Sequence, residues 1–128
     1  TPLYSSAASD VYKRQLLEER FEDALILFER FLENYPDSPL SASVVIAKGN
    51  AYEGLGEIKK AARAYLNSFS LYEDSPFAPE ALTLLGNALV SLGQTDAGCQ
   101  TLAQVLMRFP DSDFSLEAEK MMSELQCP

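Results

Sequence analysis

Histidine and cysteine, the residue types of many nucleophilic and metal-binding sites, are almost absent from this sequence. It contains no histidine and only two cysteines, Cys99 and Cys127. Ser/His and Cys/His nucleophilic mechanisms need a histidine as base, and a structural zinc site needs four Cys or His ligands. We therefore expect a protein that is not an enzyme and that holds no metal ion or cofactor.

Carboxylates are the remaining candidates for acid–base chemistry. The densest cluster is Glu18, Glu19, Glu22 and Asp23. A general acid or base has to sit within hydrogen-bond reach of a substrate in a formed site, and nothing in the pattern indicates such a cleft. The cluster is therefore predicted to be the solvated face of a helix.

A sequence motif that occurs three times at a spacing of 37 residues indicates the secondary-structure elements of the chain. The copies read NYPDSP at 34–39, LYEDSP at 71–76 and RFPDSD at 108–113. With the same shift, Gly49-Asn50-Ala51 returns as Gly86-Asn87-Ala88, and Leu55-Gly56 returns as Leu92-Gly93. A fixed period of this length predicts a solenoid of stacked helical units, which usually acts by presenting a surface.

Apolar periodicity and Gly/Pro punctuation predict six helices, at about 16–35, 40–54, 57–71, 79–92, 94–108 and 115–126. They divide residues 16–126 into a half repeat (16–39), two repeats (40–76 and 77–113) and a capping helix (114–126). Ser38 and Pro39 are expected to start a helix, and Gly54 and Gly56 to end one in the left-handed conformation. Glu19 stands where later units have glycine, so the first helix is expected to continue backwards without a turn.

Between about residues 16 and 125 the chain resembles the tetratricopeptide repeat. Small residues at Ala24, Ala61 and Gly98, each followed four positions later by a large one, carry the resemblance with the recurring glycines. It implies an all-α, right-handed superhelix of antiparallel helix pairs. It also implies a concave groove that binds protein segments.

In that family, one face of the first helix of each pair lines the groove. The corresponding residues here are Ser43, Ile46, Asn50 and Glu53 in one repeat, and Glu80, Thr83, Asn87 and Val90 in the next. An amide both donates and accepts hydrogen bonds, so the two asparagines suit the backbone of a bound peptide. The alternative is that Asn50 and Asn87 only bridge neighbouring helices.

The two cysteines lie on the last two predicted helices. If these helices form an antiparallel hairpin that turns near Ser112, Cys99 and Cys127 lie thirteen and fifteen residues from the turn. They should then meet at one end of the hairpin with Cys99 buried, and a disulfide would indicate an oxidising compartment. The alternative is a buried thiol at Cys99 and a frayed one at Cys127.

Residues 1–15 are interpreted as an adaptor-derived or non-native segment. Residues 10–15, DVYKRQ, are the peptide that a transposon-end sequencing adaptor encodes in this reading frame. The alternative is a genuine exposed segment. We expect the natural protein to continue upstream of Leu16 with another first helix.

The charge balance limits the classes of partner. The net charge is −9, and the ten Lys and Arg residues are spread along the sequence without a basic cluster. Nucleic acid and anionic membrane surfaces would be repelled. No apolar run approaches the roughly 18 residues of a membrane-spanning helix, so no membrane insertion is expected. Protein segments remain the expected partners.

A narrower resemblance rests on LGQ at 92–94, CQTL at 99–102, RFP at 108–110 and the final Cys127. This combination is similar to the repeat domain of the Tol–Pal-associated tetratricopeptide proteins, and the cysteine pair to their alphaproteobacterial forms. The resemblance implies a periplasmic cell division coordinator. It would bind Tol-system envelope proteins and link outer-membrane constriction to septal peptidoglycan synthesis. In this family an N-terminal coiled coil, absent here, forms trimers, so oligomerisation through a missing region is a further expectation.

Two other functions fit the same repeats. One is the tetratricopeptide lipoprotein of the outer-membrane β-barrel assembly machinery, which has similar loops and more repeats. The other is a regulatory repeat domain of a larger protein.

Overall fold

The computed structural model describes the backbone of residues 6–128 and the side chains of Val11 and of residues 13–128. This part of the chain consists of six helices and no strand, which confirms the predicted all-α repeat solenoid. The helices are α1 (Ser6–Asn34), α2 (Ser41–Gly54), α3 (Ile58–Leu71), α4 (Ala78–Ser91), α5 (Thr95–Arg108) and α6 (Asp113–Glu124). Each helix packs against the next along the chain, and α6 also contacts α4.

The first helix is continuous through the position where the later units turn. It runs for 29 residues from Ser6 to Asn34, as expected from Glu19 in place of a turn glycine. Residues 1–5 of the segment interpreted as non-native lie outside the described residues. Because α1 passes through residues 15 and 16 without a break, the helix itself marks no boundary there.

The loops that contain the three copies of the recurring motif have the same hydrogen bonds. The hydroxyl oxygens of Ser38, Ser75 and Ser112 each accept a bond from the backbone N–H two residues later, at 3.0–3.1 Å. The backbone N–H of each serine donates to the carbonyl three residues earlier, at 3.0–3.2 Å. A short polar side chain that accepts hydrogen bonds from local backbone N–H groups favours a turn. Each unit needs this turn, which explains why the motif recurs.

The turns inside the repeats use glycine as predicted, with one correction. Gly56 and Gly93 have φ values of 77° and 82°, the left-handed region that glycine adopts without a Cβ penalty. Gly54 is not a left-handed cap but the last residue of α2. A Cβ at Gly54 would lie 2.7 Å from Phe21 Cε1 of α1, so this glycine permits close packing of two helices.

Glycine also sets the distance between the helices of each pair. A Cβ at Gly49 would lie 2.7 Å from Tyr65 Cδ1, and one at Gly86 would lie 2.8 Å from Leu102 Cδ2. Tyr65 and Leu102 are both fully buried, so each large side chain of the second helix fills the space left by a glycine of the first. The core continues from one pair to the next through Ile46, Ala61, Ala81, Leu82, Leu85, Ala88, Val105 and Ala118.

The loops of consecutive units are also joined. Tyr72 donates its hydroxyl hydrogen to the Pro36 carbonyl at 3.0 Å. Glu73, which replaces the proline of the other copies, accepts a charge-assisted bond from Arg108 Nη2 at 3.3 Å. The Arg108 guanidinium lies 4.9 Å from the Phe69 ring centroid. The departure from the repeat at Glu73 is therefore an added link between two loops.

Candidate protein-binding groove

The predicted groove residues lie on α2 and α4, and three of them surround one buried hydroxyl group. Tyr65 of α3 donates its hydroxyl hydrogen to Asn50 Oδ1 at 2.8 Å. Glu53 of α2 and Glu80 of α4 lie close enough to this hydroxyl to raise its pKa. We call Asn50, Glu53, Tyr65 and Glu80 the groove cluster. It joins side chains of two consecutive repeats.

The groove cluster has a distinct electrostatic character. Burial raises the pKa of Tyr65 far above its ordinary value near 10, and the neighbouring carboxylates of Glu53 and Glu80 raise this pKa further. Tyr65 is therefore a neutral donor throughout the physiological pH range. Neither Glu53 nor Glu80 forms an ion pair with any described residue. A hydrogen bond between Tyr65 and Glu53 also raises the pKa of the tyrosine. The surface thus presents two carboxylates that have no cationic partner among the described residues.

The two asparagines differ in their environment. Asn50 is exposed but bonded to Tyr65, whereas Asn87 is exposed and has no side-chain hydrogen bond to the described residues. The repeat explains this difference, because the position of Tyr65 is taken by Leu102 in the next unit. Leucine has no hydroxyl group. Asn50 therefore bridges two neighbouring helices, which is the alternative interpretation of the asparagines. The Asn87 amide is available to a ligand.

The other predicted groove residues divide into partly accessible and buried ones. Ser43 is half-buried and donates to the Leu40 carbonyl at 2.9 Å. Val90 is half-buried and packs against Gly98, whose added Cβ would meet the Val90 methyl group. Ile46 and Thr83 are only 3% and 2% exposed. The expectation that these two side chains contact a ligand is therefore corrected. The period identified their helix face, but the depth of each position depends on the neighbouring helix.

Tyr65 is the large residue four positions after Ala61, and the sequence analysis did not identify its polar end as part of the groove. The phenol ring does fill the core, while the hydroxyl group reaches Asn50 at the groove surface. The signal was present in the large residues that follow Ala24, Ala61 and Gly98, namely Phe28, Tyr65 and Leu102, because only the tyrosine carries a hydroxyl group. A buried tyrosine hydroxyl usually finds a partner, and here the partner belongs to the proposed groove.

This arrangement is suited to binding a polypeptide segment. An accessible amide and two carboxylates can accept hydrogen bonds from backbone N–H groups or from basic side chains, and the Asn87 amide can also donate. Among the described residues, no group of three or more acidic or Cys side chains could hold a metal ion.

The two cysteines form a disulfide bond at the C-terminal end of the solenoid. The α-carbons of Cys99 and Cys127 are 5.7 Å apart, as predicted from the hairpin, and Cys99 is 6% exposed. The turn after α6 brings Cys127 back towards α5. In this turn Gln126 adopts a left-handed φ of 55°, and the N–H of Cys127 donates to the Met122 carbonyl at 2.9 Å. Gln126 thus does what Gly56 and Gly93 do in the earlier turns.

Among the described residues, no helix combines the length and apolar character needed to cross a membrane. The disulfide is consistent with an oxidising compartment.

Comparison with known proteins identifies the repeat. The tetratricopeptide repeat family model matches residues 10–38 and 80–112, which together make up just under half of the chain. The first matched stretch starts before residue 16 and includes most of α1 and part of the following loop, and the second includes most of α4 and all of α5. No curated protein matches the chain. The chain thus contains tetratricopeptide repeats and forms a tetratricopeptide-type solenoid, a fold that is typically a non-catalytic scaffold for protein interactions.

Proposed function

We propose that this tetratricopeptide solenoid is a non-catalytic, periplasmic protein-binding scaffold of the Tol–Pal type. In this role it coordinates outer-membrane constriction with septal peptidoglycan synthesis during cell division. The groove cluster and the unpaired Asn87 amide support the binding role. The disulfide supports the periplasmic location, because such bonds persist in oxidising compartments. The motifs at 92–94, 99–102 and 108–110 support the Tol–Pal assignment.

The bound segment is a stretch of a Tol-system envelope protein that lies across α2 and α4. Its backbone amides bond to Asn87, and its donors meet the carboxylates of Glu53 and Glu80. Because these carboxylates have no cationic partner in the described residues, a basic side chain on the segment adds a charge-assisted bond. A segment without donors at these positions leaves two desolvated carboxylates unpaired and binds weakly.

The partner class is tested by affinity capture from a bacterial envelope extract with the immobilised chain. Recovery of Tol-system proteins supports the proposal. Recovery of β-barrel assembly components without Tol proteins contradicts it and favours the assembly lipoprotein.

The groove is tested by titrating the captured partner against Asn87→Ala. Asn87 is exposed and its side chain has no hydrogen bond to the described residues, so this change removes ligand contacts without removing such a bond within the fold. We expect about a fivefold to tenfold weaker affinity, since one hydrogen bond contributes about 1–1.5 kcal/mol. Asn34→Ala, at the end of α1, is the matched control and should leave the affinity unchanged. If the Asn87→Ala and Asn34→Ala variants bind the partner with equal affinity, Asn87 does not contact the bound segment.

Asn50→Ala separates the two roles of the first asparagine. It should weaken partner binding and also lower the free energy of unfolding by about 1 kcal/mol, because the Tyr65 hydroxyl loses its bond to Asn50. The double variant with Asn87→Ala should retain its helix content in circular dichroism. A double variant that binds as tightly as the unmodified chain would contradict the proposed groove.

A further inference from the structure

A second polar surface lies on the other side of α2 from the groove. The groove residues of α2 are Ser43, Asn50 and Glu53. At 100° per residue, positions 45, 48 and 52 lie on roughly the opposite side of the helix. There α2 and α3 enclose a cleft of about 230 Å³. We call it the basic cleft and define it by Val45, Lys48, Tyr52, Lys60, Arg63 and Ala64.

The basic cleft concentrates cations in an acidic protein. The chain carries a net charge of −9, yet three of its ten basic residues, Lys48, Lys60 and Arg63, converge here from two helices. The expectation of no basic cluster, which was based on spacing along the sequence, is therefore wrong for the folded chain. The spacing i, i+3, i+4 of residues 60, 63 and 64 aligns them along one face of α3, opposite Lys48.

The cations of the basic cleft are only weakly neutralised from within the chain. Lys48 Nζ is 4.0 Å from Glu29 Oε1 of α1, a long distance for an ion pair, although only 23% of the lysine side chain is exposed. Lys60 Nζ is 3.5 Å from the exposed Glu57. Pairs of this kind contribute at most about 1 kcal/mol. Arg63 forms no ion pair with a described residue.

The walls of the basic cleft suit a carboxylate on a short aliphatic stem. Val45 and Ala64 are 7% and 5% exposed and form an apolar base. Lys60 lies over the Tyr52 ring, 5.8 Å from its centroid, which holds the ammonium group at the rim. The planar fork of Arg63 can bind a carboxylate through two parallel bonds. The volume accommodates one or two side chains.

We propose that the basic cleft is a docking site for an acidic segment of a partner protein, separate from the groove. The segment places a Glu or Asp side chain between Lys48 and Arg63, with a second carboxylate near Lys60. Charge complementarity determines the partner, because the remainder of this acidic chain repels such a segment. The solenoid therefore holds two segments of opposite character on the two sides of α2.

The test uses a dye-labelled hexaglutamate peptide and fluorescence anisotropy at low ionic strength. The unmodified chain should bind it, and a hexaglutamine peptide should not bind. Lys60→Glu with Arg63→Glu should weaken hexaglutamate binding at least a hundredfold. Binding should also weaken as salt is raised, since the contacts are charged and partly exposed.

The matched control is Lys59→Glu with Lys120→Glu, which makes the same change in net charge at exposed positions outside the basic cleft. It should weaken binding less than tenfold. Both double variants should keep the helix content and melting temperature of the unmodified chain. Equal losses in the two variants would show a diffuse effect of net charge and overturn the proposal, as would the absence of hexaglutamate binding at low salt. The test does not depend on the proposed groove. Even if the Asn87→Ala variant binds its captured partner with unchanged affinity, the result with hexaglutamate stands.

Discussion

Reduction of the disulfide between Cys99 and Cys127 should destabilise the chain by a predictable amount. The bond closes a loop with a sequence separation of 28 residues, which contains most of α5 and all of α6. In the chain-entropy model, closing such a loop removes conformational freedom from the unfolded chain that is equivalent to about 3.6 kcal/mol at 25 °C. The native contacts of α6, including the fully buried Ala118, remain when the bond is cut.

The assay is thermal unfolding followed by circular dichroism, with and without a thiol reductant. For a chain of this size about 3.6 kcal/mol corresponds to a fall in Tm of about 10–15 °C if unfolding is a single transition. In a solenoid the terminal helix can detach first, because each unit contacts only its neighbours. In that case the same loss appears as an early transition of α6.

Cys127→Ala is the decisive control. It removes the bond but leaves the buried Cys99 in place, so its melting curve should equal that of the reduced chain and should not respond to reductant. Cys99→Ser should also abolish the response, with an additional loss from burying a hydroxyl group at a 6% exposed position. The reasoning is refuted if reduction leaves the melting of the unmodified chain unchanged, or if Cys127→Ala still responds to reductant.

Two further predictions concern Gly49 and Tyr65. Gly49→Ala places a methyl group within 3 Å of the buried Tyr65 ring, and the overpacking of about 1–3 kcal/mol should outweigh a helix-propensity gain of about 1 kcal/mol. Urea unfolding should therefore show a net loss, and a gain in stability would contradict the close packing. The raised pKa of Tyr65 means that the folded state keeps this proton while the unfolded state releases it near pH 10. The free energy of unfolding should thus be unaffected by this group below pH 10 and fall by about 1.4 kcal/mol per pH unit above it. Tyr65→Phe should show a smaller decrease between pH 9 and pH 11, and an identical decrease would contradict the assignment.

The sequence by itself was sufficient for the repeat architecture. The period of 37 residues, the Ser-containing loops and the turn glycines predicted each helix from α2 to α6 to within about two residues of the observed ends. These features are local, because a serine hydroxyl that bonds two residues onwards or a glycine at positive φ acts within a few positions of the chain. The cysteine pair was predictable for a related reason. Two antiparallel helices of known length and turn position place their ends side by side.

The tertiary structure alone decided what each position does on its helix face. Ile46 and Thr83 share the groove register with Asn50 and Asn87, but the neighbouring helices bury them. Among the described residues the Asn50 side chain has a hydrogen bond and that of Asn87 has none, because the repeat places Tyr65 in one unit and Leu102 in the next. The basic cleft arises from Lys48 and Arg63, which lie on different helices. Periodicity along a chain gives the direction of a side chain, whereas its burial and charge environment depend on which distant residues the packing brings against it.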